Sequence, residues 1–234
     1  MQTVIVTGGA GFLGSHLCKR LLADSYSVIC IDNLKTGAKR NIEPLLSQEN
    51  FRFIDHDVNF PLPDELEADA VFHLASPASP NHHSKISYHA LPLETMLVNT
   101  RGTMKLLEFA QKKNAKFLFA STSEIYGDPL EHPQKETYNG NVSTTGPRSV
   151  YDEAKRFGET ITAYFARDRG VDARIVRLFN TYGPNMNTED MRMVSIFITQ
   201  ALKNEPITIY GDGKQTRSLC YVTDTIDGLI KLMF

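Results

Sequence analysis

The sequence predicts an α/β fold, a doubly wound parallel sheet followed by a small C-terminal lobe. Two observations predict it. Short apolar runs alternate with longer helical patterns, and a glycine-rich turn joins the first run to the first helix. The strand candidates are 4–6, 28–31, 51–54, 70–74, 117–120 and 173–176, and the helix candidates between them are 12–24, 91–112 and 149–169. A helical pattern after residue 189, followed by the apolar run 206–210, sets a smaller lobe beginning near Phe179. The chain therefore divides into a dinucleotide-binding domain, 1–178, and a partial substrate lobe, 179–234. Residues 223–234 read as an amphipathic helix free to pack back on the first domain. No glycine or asparagine terminator or further strand follows it, so the expectation is a truncated lobe and a chain incomplete at its C-terminus. Residues 77–80 and 127–147 read as loops bordering a cleft.

The 234 residues are 41% hydrophobic and 22% charged, with a formal net charge of −2, which is an ordinary soluble composition. That balance gives no electrostatic footprint for nucleic acid or a membrane surface. No apolar run approaches the length of a transmembrane helix, and the N-terminus lacks the charged start of a signal peptide. Cys18, Cys30 and Cys220 have no metal-type spacing. They fit buried or incidental thiols in a reducing cytoplasm. Asn141-Val142-Ser143 is read as a chance glycosylation match. His82-His83 reads as a solvated pair, and no metal site is expected.

Thr7-Gly8-Gly9-Ala10-Gly11-Phe12-Leu13-Gly14 follows the first strand and opens the first helix. Gly8, Gly11 and Gly14 lack Cβ atoms, so the backbone can turn sharply and approach a pyrophosphate lying on the helix N-terminus. Glycine-rich turns also serve plain helix–strand packing, but Asp32 at the end of the second strand adds context. A carboxylate there accepts hydrogen bonds from a ribose diol and repels a 2′-phosphate, which favours NAD over NADP. Lys35 and Lys39 are the nearby cations that could accommodate that phosphate. Asp57-Val58, after the third strand, fits an adenine-edge contact and equally an ordinary strand end.

Ser121-Thr122-Ser123-Glu124-Ile125-Tyr126 places hydroxyls and an acid at the C-terminal end of the strand candidate 117–120, where open α/β sheets hold ligands. Tyr151 and Lys155 are spaced i, i+4 and share a helical face. A neighbouring cation favours phenolate, which makes a tyrosine usable as a base. The spacing alone is common on surface helices. With the dinucleotide fingerprint and Thr122 it reads as hydride-transfer chemistry.

Taken together, these stretches resemble the extended short-chain dehydrogenase/reductase superfamily over the whole chain. More narrowly, they resemble its branch that decarboxylates UDP-glucuronate. The specific runs are His73-Leu74-Ala75-Ser76-Pro77-Ala78-Ser79-Pro80 and Thr122-Ser123-Glu124-Ile125-Tyr126-Gly127-Asp128-Pro129. Gly146-Pro147-Arg148, 179–184 and 210–217 match as well. The resemblance implies a Rossmann-type sheet and a bound NAD. It assigns to that cofactor Gly8, Gly11, Phe12, Leu13, Gly14, Asp32, Asn33, Thr36, Gly37, Asp57, Val58, Leu74, Ser76, Ala120, Tyr151, Lys155, Thr181 and Arg192. It assigns catalysis to Thr122, Glu124, Tyr151 and Lys155, and contacts with a UDP-sugar to Ser123, Asn180, Tyr210, Gln215 and Arg217. Asn99 is expected to make a structural hydrogen bond.

The implied reaction oxidises C4 of the sugar, loses CO2 from the resulting β-keto acid and returns hydride to give UDP-xylose. Related 4,6-dehydratases carry Thr-Asp-Glu where this chain has Thr122-Ser123-Glu124, and related 4-epimerases lack the Glu. Those two activities are the alternatives within the superfamily. An NAD-binding scaffold without turnover is the alternative outside enzymology. It draws on the family's later arginine, in an R-K-P-D-like stretch, which this sequence does not contain. The resemblance also implies a homodimer through helices 91–112 and 149–169. The segment 81–90 is longer than the family pattern and borders the expected sugar site.

Overall fold

The computed structural model describes residues 1–187, 190 and 192–234. Six parallel strands form one sheet in the order β3-β2-β1-β4-β5-β6. They are β1 (Thr3–Thr7), β2 (Ser27–Asp32), β3 (Phe51–Asp55), β4 (Ala70–His73), β5 (Lys116–Thr122) and β6 (Ala173–Leu178). The order reverses between β1 and β4, where Thr7 pairs with Ile31 on one side and His73 on the other. Chains leaving these two strands diverge to opposite faces and open a crevice at their C-terminal ends. The predicted doubly wound sheet is the observed one, with every strand candidate in it.

Helix α1 (Phe12–Ala23) covers one face of the sheet. Its Leu17 and Leu21 are buried with Val4, Val6, Val28 and Phe72 in one cluster. Helix α6 (Val222–Met233) joins the same cluster through Val222, Ile226, Leu229 and Met233. Burial of each such side chain stabilises by about 1.5–3 kcal/mol. The last helix thus belongs physically to the sheet's core, although it follows the second lobe in sequence. The other face is closed by α3 (Thr103–Lys113) and α4 (Ser149–Asp168), with Leu106, Leu107, Phe117, Phe119 and Phe165 buried between helices and sheet.

The segment expected as one helix over 91–112 is interrupted. Helix α2 (Pro92–Leu97) passes through a π-type turn (Val98–Gly102) before α3 resumes. At that turn the buried Asn99 side chain donates to Thr95 O at 2.8 Å and to Ser76 Oγ at 2.9 Å, tying the helix to the loop after β4. Gly158 of α4 lies against it, and a Cβ there would sit 2.9 Å from Asn99 O. The extra residue in the turn therefore falls where two helices and a cavity loop meet, a common setting for π-bulges.

Beyond β6 the chain forms β7 (Asn180–Tyr182), α5 (Met193–Leu202) and β8 (Leu219–Tyr221), with β7 and β8 pairing in parallel as a separate ribbon. Residues 206–210 are irregular and exposed.

Candidate active site

A cavity of about 270 Å³ lies at the C-terminal ends of the strands. Its lining includes every residue assigned to the cofactor from the sequence, together with Thr122, Ser123, Glu124 and Asn180. Tyr210, Gln215 and Arg217 are not brought there. They lie on an exposed segment, where Tyr210 is 69% exposed and Gln215 donates to Tyr210 O at 3.0 Å.

The glycine turn makes one end of the cavity. Gly8 adopts φ +72°, and Gly8 N donates to Ile31 O at 2.8 Å, so the loop is held between β1 and β2. A Cβ on Gly14 would lie 2.1 Å from Gly8 O, and one on Gly8 would lie 2.7 Å from Ala75 N. Among the described residues no side chain caps Gly11 at the head of α1, and the first turn has no acid. The first amides of a 12-residue helix thus remain available to an anion. Asp32 closes this end. Its carboxylate accepts from Ala10 N at 3.0 Å and Leu34 N at 2.8 Å, and burial raises its pKa despite those bonds. A Cβ on Gly37 would press within 2.8 Å of the same carboxylate. Asp57 accepts from Asn59 N at 3.0 Å and faces Asn33 Nδ2 at 3.4 Å, which fits the strand-end role as well as a ligand contact. A dinucleotide suits this end: a cradle that side chains would fill, free helix amides and a fixed carboxylate.

His73 ends β4, one residue before Leu74 of the cavity lining. It is fully buried, with Nδ1 2.8 Å from Thr7 Oγ1 and Nε2 3.3 Å from Val98 O. Burial pushes its pKa down to about 3, with the Lys155 charge adding to the effect, so the ring is neutral.

Titratable side chains crowd the other end. Thr122 ends β5, and its Oγ1 accepts from Glu124 N at 3.2 Å, opening a short 3-10 turn (Ser123–Tyr126). The following loop is pinned there: Asn141 N donates to Tyr126 O at 2.8 Å, and Arg156 donates to Ile125 O and Asn139 O, both at 2.9 Å. From α4, buried Tyr151 lines the same cavity as Thr122, and Lys155 donates to Ala120 O at 2.6 Å.

The sequence expectation that Lys155 favours the Tyr151 phenolate needs correction in the protein's resting state. Burial pushes the phenol up, the Glu124 charge adds to this, and Thr122 and Arg192 oppose it. Burial also pushes Lys155 down to about 7, which weakens the cation on which that expectation depends.

Several residues here had no role assigned from sequence. The long 81–90 segment delivers Tyr88, fully buried and stacked on Tyr151 with ring centroids 4.8 Å apart and an 8° tilt. Tyr88 OH lies 3.4 Å from Glu124 Oε2, with which the Arg148 guanidinium forms an ion pair. Asp190, also buried, holds Arg192 through a 2.8 Å bond to its Nε. Arg148 stood within a matched motif, but its pairing across elements with Glu124 leaves no trace there. His82 is exposed and stacks on His89 at 3.6 Å; among the described residues no three metal-capable side chains gather.

A glycine cradle at one end of a strand-end cavity and a Tyr–Lys pair at the other agree with a family match over residues 4–233. The chain belongs to the NAD dependent epimerase/dehydratase family. It is 52% identical over 230 residues to UDP-glucuronic acid decarboxylase 2 of Arabidopsis thaliana, covering 98% of this chain and 50% of that protein. The chain thus spans about half the length of that curated relative. Among solved structures, the UDP-glucose 4-epimerase of Thermotoga maritima with UDP-glucose superposes with a TM-score of 0.82 at 31% identity, over 97% of this chain and 72% of that one. The dTDP-glucose 4,6-dehydratase DesIV of Streptomyces venezuelae, solved with NAD, gives 0.83 at 29% identity, over 97% and 70%.

Proposed function

We propose that this chain carries the active site of an NAD-dependent decarboxylase that converts UDP-glucuronate to UDP-xylose through a 4-keto intermediate. The observation that carries the reading is the gathering of Thr122, Ser123 and Glu124 around buried Tyr151, at the far end of the cavity from the glycine cradle. Relatives about half identical are named UDP-glucuronic acid decarboxylases, which supports the same choice.

The glycine turn, Asp32 and Lys155 hold the cofactor, and bound NAD+ supplies the hydride acceptor. Tyr151 takes the proton of the sugar's C4 hydroxyl, and Lys155, titrating near 7, exchanges that proton near neutrality. Once C4 is a ketone, the C6 carboxylate lies β to it, so loss of CO2 leaves an enolate. Tyr151 and Thr122 stabilise the charge at O4 by hydrogen bonds. Ser123 is too weak an acid to protonate a departing C6 hydroxyl, which disfavours dehydration. Asn180 and Arg192 hold the nucleotide side of the substrate, and Tyr210, Gln215 and Arg217 join them if their segment closes over it.

The same reading includes a homodimer and a cytoplasmic location. Leu93, Met96 and Met104 along α2 and α3, with Phe157 and Tyr164 on α4, are exposed apolar side chains that suit the helix pairing. The three cysteines are free thiols, which suits a reducing compartment. No helix of the described residues is long and apolar enough to cross a membrane.

Incubation with UDP-glucuronate and NAD+, followed by product analysis, tests the reading. UDP-xylose is expected. A 4-keto-6-deoxy sugar from a hexose nucleotide assigns a dehydratase, and inversion at C4 alone assigns an epimerase. Bound NAD with no product from any nucleotide sugar assigns the scaffold.

A further inference from the structure

The cofactor end of the cavity holds a pair of charges that the scheme above leaves unused. Asp32 ends β2, and residues 33–37 curl around its carboxylate. Leu34 N donates to Oδ1 at 2.8 Å, Lys35 N donates to Asn33 Oδ1 at 3.2 Å, and a Cβ on Gly37 would stand 2.8 Å from both carboxylate oxygens. Leu34 turns the chain here with φ +56°. Ala38 N and Asn41 Nδ2 then donate to Ala10 O, at 3.0 and 2.9 Å, which fastens the loop to the glycine turn. The backbone of Lys35 is thereby held beside the carboxylate that suits a ribose diol.

A cation in this position has a known consequence. In doubly wound folds the acid after the second strand takes the adenosine 2′-hydroxyl, and a nearby Arg accommodates a 2′-phosphate instead. Lysine binds phosphate as a point charge and has the chemistry for that second role. Lys35 lines the cavity together with Asp32. Its ammonium, however, is engaged elsewhere. Lys35 Nζ lies 3.5 Å from Oε1 of Glu94, in the first turn of α2, and Glu94 lines the same cavity. The pair joins two segments far apart in sequence that border one binding space.

We propose that Glu94 is a specificity-determining residue for the cofactor: by holding Lys35 it denies a 2′-phosphate its cation, and so reinforces the choice of NAD over NADP that Asp32 begins. Its carboxylate also adds negative charge to the lining, against the charge of about −1.5 to −2 that a phosphate group brings. NAD carries no such group, and Asp32 serves its ribose diol with or without the pair. The two side chains are 48% and 38% exposed, so water and salt weaken the pair, and the effect is a preference rather than an exclusion. Arg40 lines this end as well and is the other cation that a 2′-phosphate could meet. The choice of cofactor is independent of which nucleotide sugar the catalytic end turns over.

The test measures dissociation constants of NAD+ and NADP+ by calorimetry for the wild-type chain, Glu94→Gln, and Glu94→Gln combined with Lys35→Met. Glu94→Gln should bind NADP+ about threefold to tenfold more tightly than wild type does, while NAD+ stays within about twofold. Glu94→Ala should reproduce that gain, and adding Lys35→Met should abolish it. In about 0.5 M KCl the gain should shrink, because exposed charges are screened. Circular dichroism beside the titrations checks that each variant is folded. No gain in NADP+ affinity in either folded Glu94 variant overturns the proposal. A gain that survives Lys35→Met assigns the 2′-phosphate to Arg40 and overturns the part given to Lys35. Equal changes for NAD+ and NADP+ make the pair a clasp over the adenosine half instead of a selector, which overturns it as well.

Discussion

At the cofactor end of the cavity the working groups are mostly backbone: the amides at the head of α1, the turn at Gly8, and a carboxylate already tied to two amides. At the catalytic end they are side chains in mutual contact: Tyr151 on Tyr88, Tyr88 on Glu124, and Glu124 on Arg148. The difference has physical consequences. A backbone cradle has no protons to exchange, so it is indifferent to pH but intolerant of added atoms. A side-chain cluster accepts an isosteric replacement with little steric cost, yet every replacement alters the charge its neighbours feel. The two ends should therefore break in different ways.

The sharpest break is expected from Tyr151→Phe. It removes one oxygen at a fully packed position, so folding and NAD binding should persist. Decarboxylation of UDP-glucuronate should fall by about 10³-fold, within the range for loss of a general base. Product analysis beside a measurement of bound NAD checks both halves, and unchanged turnover would contradict the assigned role.

His73, fully buried at the end of β4, should give the next largest effect, read as stability. Its pKa is about 3 in the fold against 6.5 in the unfolded chain, so between those values the unfolded state binds more protons. The stability of the neutral ring is full above pH 6.5 and is lost as pH falls toward 3. The loss amounts to about 3 kcal/mol by pH 4, at 1.36 kcal/mol per unit. Melting curves of wild type and His73→Phe across that range should diverge in slope, the variant being flatter. Parallel curves would mean the ring does not stay neutral.

Gly14→Ala attacks the cradle. Its new Cβ would lie 2.1 Å from Gly8 O, a contact with backbone that cannot rotate away. Overpacking of this kind costs about 1–3 kcal/mol. NAD affinity should fall together with melting temperature, and the deficit should be the same at pH 6 and pH 8. A pH-dependent deficit would blur the contrast between the two ends.

The same contrast explains what could be read from the sequence. The sheet, α1 and the glycine turn were legible because each depends on local pattern: apolar runs, a glycine spacing and a strand-end Asp32. The Tyr151–Lys155 spacing was legible for the same reason, since one helix carries both. The balance of charge on Tyr151 was not, because it depends on how deeply α4 is buried and on Glu124, Thr122 and Arg192 arriving from other segments. Tyr88 was invisible for a related reason. The 81–90 segment shows no helix or strand period, and its placement is fixed by contacts such as Tyr88 N to Ser79 O at 3.1 Å and Ser79 Oγ to Asp190 O at 2.9 Å. The π-type turn at Asn99 also follows from packing against α4 and Ser76, which no helical periodicity reports.

The smallest effect separates Arg192, which sequence resemblance places where cofactor and nucleotide approach, from Arg217, which it places on the UDP-sugar. Arg192 lines the cavity and is held by Asp190, so its guanidinium is positioned before any substrate arrives. Arg217 lies on the exposed segment, with a bond to Thr216 O that leaves most of its donors free. A preorganised cation avoids the ordering cost that a mobile one meets on binding. Arg192→Ala should therefore raise KM for the UDP-sugar more than Arg217→Ala does, with neither change abolishing NAD binding. For Arg217→Ala a rise of about threefold to tenfold is expected, the worth of one partly solvated phosphate contact. If the two variants raise KM equally, residues 210–217 close over the nucleotide and organise Arg217 as firmly as Asp190 organises Arg192. The cavity would then be completed by a segment that is not among its lining residues.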